Sequence, residues 1–120
     1  MDTVKIRNAI VGLINVIDIL SNQPNSNYQD ALDLMIGFSK YDDCLSILFE
    51  HKIDDVIFKA INANKTRKEI LKKCLQIIEN LYRAKTSIFT SERLDIIQEI
   101  VPFVGVNMTT GEFTNNDDPE

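Results

Sequence analysis

His51, the only histidine of the chain, stands three and four residues before a pair of aspartates in the stretch "ILFEHKIDDVIF", residues 47–58. An imidazole with two carboxylates close by in sequence is raw material for a metal site or an acid–base pair. A metal needs several ligands converging on one point, and here Lys52 and Ile53 are read as the change of direction between two helices. The spacing therefore does not place the three side chains on one face. Asp54 or Asp55 is expected to cap the following helix, both favouring the positive end of its dipole, and His51 to lie at the C-terminal end of the preceding one. Asp42 and Asp43, with Glu50 seven residues on, fall at another helix start, where acids belong. Cys44 and Cys74 lie in apolar helical runs rather than in a CxxC, the pattern of buried reduced thiols. No second histidine, Gly-rich phosphate loop or nucleophile elbow completes an active site, so no catalytic function, metal or cofactor is expected.

The elements that position these residues come from a chain of 120 residues, 44% apolar and 26% charged, which is one domain with one modest core. No apolar run approaches the roughly 18 residues of a membrane span. The start, "MDTVKIRNAIVGL", opens with an acid and is interrupted by charge, unlike a signal peptide. An intracellular protein is expected, cytoplasmic, with the nucleus also compatible, and with no membrane partner. The net charge of −5 is uneven: residues 65–85 carry seven Lys/Arg against two Asp/Glu, while residues 1–64 carry five against nine. An acidic chain with one basic helix is a poor non-specific binder of nucleic acid, which needs cations spread along a phosphate track. Nucleic-acid binding through 65–85 is the third-ranked reading, and a solvated helix face the simpler one.

Apolar residues recur at helical spacing almost throughout, and period-2 alternation is missing, so an all-α fold is predicted. The first helix starts after Asp2 or Thr3 and runs to about Ser21, with Ile6, Ile10, Leu13, Ile14, Ile17 and Leu20 on a wide apolar face. "SNQPNSN" ends it, through Pro24. Further helices are expected at about Tyr28–Ser39, Asp42–Glu50 and Asp54–Ile61. The next begins at Thr66, with Glu69 completing a capping box, and runs to about Arg83, with Lys68, Lys72, Gln76 and Glu79 outward. Ser91 caps the last helix, which Pro102 terminates or bends. A single helical domain spans 1–104, and 105–120 is a polar acidic tail, mobile at least from Thr114.

Sliding the chain over itself by 43 residues lays "ALDLMIGF" (31–38) on "CLQIIENL" (74–81), and Ile53, Ile57, Phe58 and Ile61 on Ile96, Ile100, Val101 and Val104. With "AIVGLINV" (9–16), these segments resemble the long inner helix of the armadillo repeat family, Ala-Leu-x-x-Leu-x-Asn-Leu, placing Asn80 and Asn15 on the asparagine position and Gly37 on it between them. "LFEHKIDDVIFKAI" is similar to the family's turn between a short helix and the next. The resemblance covers about residues 28–104 and implies a short right-handed stack of about six helices: two repeat units plus an N-terminal capping helix. A compact helical bundle that dimerises through the first helix is the alternative. Asn15 and Gly37 lie only 22 residues apart, which makes the first helix a cap, and Gln76 and Val11 stand where peptide-clamping members carry tryptophan.

In such a stack Lys73, Gln76, Asn80 and Arg83, three or four residues apart, lie on one stripe and are the candidate partner-binding residues. An asparagine amide both donates and accepts, which suits a peptide backbone, and the flanking cations prefer an acidic segment. The tail's own "EFTNNDDPE" is one such segment. The expected function is that of an adaptor or scaffold subunit, binding a protein partner: an acidic or extended peptide, a neighbouring helical subunit, or a second copy as a homodimer.

Overall fold

The computed structural model of the chain describes residues 3–23 and 26–105, and among them all regular structure is helical. Six α-helices follow in order: α1 (Thr3–Ser21), α2 (Gln29–Phe38), α3 (Asp42–Glu50), α4 (Ile53–Ala63), α5 (Lys68–Ala84) and α6 (Ser91–Val104). A 3-10 turn at Thr86–Ile88 precedes the last. The predicted all-α stack of about six helices is what the chain forms. Asp2, Pro24 and residues 106–120, for which the sequence predicts a cap, a helix stop and a mobile tail, lie outside the described residues.

α5 is the hub. Its sequence "KEILKKCLQIIENLYRA" contains no glycine or proline, and its apolar residues fall on more than one flank. Ile70, Leu71, Cys74, Leu75, Ile77, Ile78 and Leu81 are each at most 1% exposed. Such burial of one large aliphatic side chain is worth about 2 kcal/mol, and α5 achieves it against α2, α3, α4, the 3-10 turn and α6 together. Glu79, expected outward, has a side chain only 14% exposed and lies 3.8 Å from Arg83. α1 packs on α2, α3 and α4 and buries Ile10, Ile14 and Ile17.

Polar ties between helices join residues 38 to 43 positions apart: Asp18 with Lys59, Asp33 with Lys73, Ser39 with Asn80, Arg7 with Glu50, and Arg93 with Asp54 and Asp55. α1 thus lies beside α4 and α2 beside α5, while Arg93 links α6 back to α4. Two of these pairings, α2 with α5 and α4 with α6, are the ones that the 43-residue self-alignment superposes.

Helix ends depart from the sequence reading in consistent ways. Thr66 does not cap α5: the helix starts at Lys68, its N-cap residue is Arg67, and no side chain accepts a hydrogen bond there. The turn is held instead by Asn64, whose carbonyl accepts from Arg67 N (2.9 Å) and whose Oδ1 accepts from the Arg67 guanidinium (3.0 Å). Thr90 rather than Ser91 caps α6, its hydroxyl accepting from Arg93 N at 3.2 Å. Pro102 does not stop α6, which continues to Val104 and ends at Gly105 with φ 72°, a conformation that glycine adopts without a Cβ penalty. Thr90→Ala is accordingly expected to lower stability by about 1 kcal/mol and Thr66→Ala by nearly nothing, measured by urea unfolding. Equal losses at the two positions would contradict this assignment of caps.

Candidate functional site

The predicted stripe on α5 is only partly a surface. Lys73 is turned to α2, its Nζ 2.6 Å from Asp33 Oδ1 and its side chain 23% exposed. Asn80 is buried, and its Nδ2 donates to Ser39 Oγ at 2.8 Å and to Ile36 O at 3.4 Å. Both Asn80 protons thus hold the end of α2, so this amide cannot donate to a partner. Gln76 and Arg83 remain exposed. α2 lies directly against α5, so that stripe is the seam between successive helices over half its length.

What the arrangement leaves is a cleft of about 160 Å³ where the C-terminal half of α5 meets the turn between α2 and α3, lined by Ser39, Lys40, Asp42, Leu45, Asn80 and Arg83. Asn80 Oδ1 takes part in neither of the two bonds that hold the end of α2. Lys40, exposed, and Arg83, its side chain 61% exposed, stand at the rim. The cleft therefore places the Asn80 amide beside Lys40, Asp42 and Arg83, the last 3.8 Å from Glu79.

The histidine and the two aspartates do not converge. His51 is the C-cap of α3, and the chain reverses at Lys52, which takes the left-handed conformation (φ 57°) and is the N-cap of α4. Neither Asp54 nor Asp55 caps α4 through its side chain. Both instead reach Arg93 of α6: Asp54 Oδ2 accepts at 2.8 Å, and Asp55 Oδ1 accepts from the second guanidinium nitrogen. Arg93 also donates to Ile88 O at 2.8 Å and lies 4.7 Å over the Phe58 ring. His51 Nε2 is buried without a hydrogen-bond partner, and its closest carboxylate oxygen, Glu50 Oε2, is 3.9 Å away. Among the described residues no three His, Cys, Asp or Glu side chains are grouped to hold a metal ion.

A second polar cluster had no forewarning in the sequence. Asn64 Nδ2 donates to Tyr28 Oη (2.6 Å) and to Ala60 O (2.8 Å). Tyr28 Oη also lies 3.3 Å from Ser21 Oγ, and that hydroxyl is within 2.6 Å of Ile17 O. Since the Ser21 proton is directed to Ile17 O, the Tyr28 proton bridges the two hydroxyls. The cluster joins the C-terminal ends of α1 and α4 to the start of α2. Burial pushes the Tyr28 phenol above its ordinary value, against the hydrogen bonds of Ser21 and Asn64.

Most cations of the 65–85 stretch have a carboxylate within 4 Å: Lys65 with Glu99, Lys72 with Glu69, Lys73 with Asp33, Arg83 with Glu79. No helix among the described residues is long and apolar enough to cross a membrane. Comparison with known proteins finds no matching family model, no matching curated protein and no matching solved structure.

Proposed function

We propose that the chain is a non-catalytic protein–protein interaction module, an armadillo-like stack that serves as adaptor or scaffold subunit of an intracellular complex. Two ties at about 40 residues support the repeat reading, since they bond α2 to α5 and α4 to α6, the pairs that the 43-residue register superposes. The observation that carries the binding role is the cleft around Asn80. Its amide oxygen suits a backbone N–H of an extended segment, and Lys40 and Arg83 suit acidic side chains on that segment. Nucleic-acid binding ranks below this, because cations already beside carboxylates release few counterions on meeting phosphate.

The test leaves Asn80 alone, since its bonds to Ser39 and Ile36 hold the fold. A pull-down from the native source compares the wild type with Lys40→Glu plus Arg83→Glu, both solvent-exposed positions. Loss of the acidic-segment partner is expected, at least tenfold in recovery, with the helical circular dichroism unchanged. Equal recovery by both proteins would remove the cleft as the binding surface.

A further inference from the structure

We infer, resting on the acidic-segment reading of the Asn80 cleft, that the same partner segment also carries a large apolar side chain and then a base, held in a second cleft across the turn between α2 and α3. This second cleft, of about 330 Å³, is lined by Ile6 of α1, Phe38 of α2, Tyr41, and Asp43 and Cys44 of α3. The turn divides it from the first: Ser39, Lys40 and Asp42 line one side, and Phe38, Tyr41 and Asp43 the other. One extended segment laid over the turn meets both. Ile6 and Phe38 pack on the core and are partly buried, and Cys44 is buried, so the floor of the second cleft is apolar. Tyr41 stands at its edge, 64% exposed. An exposed tyrosine beside an apolar hollow is the composition of a binding hot spot, with a ring to pack on and a hydroxyl for the segment's backbone.

Charge selects the occupant. Lys40 on one side of the turn and Asp43 on the other are exposed, and neither is in an ion pair among the described residues. Burial, and then the Asp43 charge, push the Cys44 thiol above its ordinary value, so that carboxylate acts on the floor of the cleft. A segment crossing the turn is therefore matched in order: its acid at Lys40, its apolar side chain in the cleft, its Lys or Arg at Asp43. The reverse order sets like charges together at both ends. The chain's own residues 106–120, with four acids and no base, lack the last of these elements.

Synthetic peptides carrying two acids, a leucine and a lysine, at several spacings set by serines, are titrated against the full chain by fluorescence anisotropy and amide shifts. The best spacing is expected to move amides in residues 38–45 and 80–84. Leucine to alanine in the peptide should weaken binding about tenfold, and lysine to glutamate about threefold. Asp43→Lys should reverse the second preference, so that the glutamate peptide binds the better, with circular dichroism unchanged. If that variant does not fold, Asp43→Asn should erase the preference without reversing it. No binding at any spacing overturns the proposal. Binding that needs Lys40 and Arg83 but ignores the leucine overturns it and leaves the acidic-segment reading standing. Binding that needs the leucine and Asp43 but survives Lys40→Glu plus Arg83→Glu supports the second cleft and removes the first. Amide shifts at 38–44 that move with protein concentration alone put a second copy in the cleft and overturn the proposal.

Discussion

Arg93→Ala is expected to destabilise the fold by about 3 kcal/mol, seen as a lower urea midpoint at an unchanged slope. The side chain is 18% exposed and makes its bonds to Asp54, Asp55 and Ile88 O while stacking on Phe58. Burial alone would lower the guanidinium's pKa; the hydrogen bonds and charges of Asp54 and Asp55 outweigh it and hold the pKa above its ordinary value. Truncation leaves Asp54, itself 22% exposed, without its cation, which accounts for most of the loss. Asp55, 60% exposed, rehydrates, so Asp55→Ala should cost under about 1 kcal/mol. Arg93→Lys should recover only part of the loss, because an ammonium cannot fork to two carboxylates and lie flat on a ring. If Arg93→Ala unfolds with the wild-type midpoint, α6 is not held through this junction.

The same junction shows where sequence reading stops. Hydrophobic periodicity places all six helices, because a period of 3.6 is a local property; Asp42–Glu50 emerges with the predicted bounds, and Lys68–Ala84 ends within a residue of the predicted Arg83. Cap chemistry failed at Asp54, Asp55, Thr66 and Ser91 for one reason. Each residue has the right type for a local bond, and a competitor decides the outcome: Arg93, 39 positions away, takes Asp54, and Asn64 organises the turn that Thr66 was expected to start. Lys73 and Asn80 failed as surface residues in the same way, since spacing puts them on one stripe but cannot say that α2 lies on it. The Tyr28–Asn64 pair, 36 positions apart, has no local signature. Local pattern gives the elements, and the partner of each polar group is set by packing.

Alkaline titration should destabilise the chain steeply, and Cys74 should account for most of the effect. Its thiol is 0% exposed within α5, and burial pushes its pKa from the ordinary 9.0 up to about 12. Between those values the unfolded chain has released a proton that the native chain keeps, so stability falls as pH rises: it is fully present below pH 9 and lost toward pH 12. At about 1.4 kcal/mol per pH unit, the linked loss approaches ~4 kcal/mol, a large part of the ~5–15 kcal/mol of a typical domain. Tyr28, also raised by burial, adds in the same direction above its ordinary 10.0. Cys74→Ala separates the two. It should lose about 1 kcal/mol at neutral pH through the vacated sulfur volume, and then show a flatter decline from pH 9 upward, the residual slope belonging to Tyr28 and Cys44, both raised by burial. Thiol labelling supplies an independent reading: both thiols are buried, but Cys44, 8% exposed at the apolar cleft of Ile6 and Phe38, should react faster than Cys74, which is 0% exposed and should react only on unfolding. Parallel pH profiles for wild type and Cys74→Ala would show that the buried thiol is not the linked group.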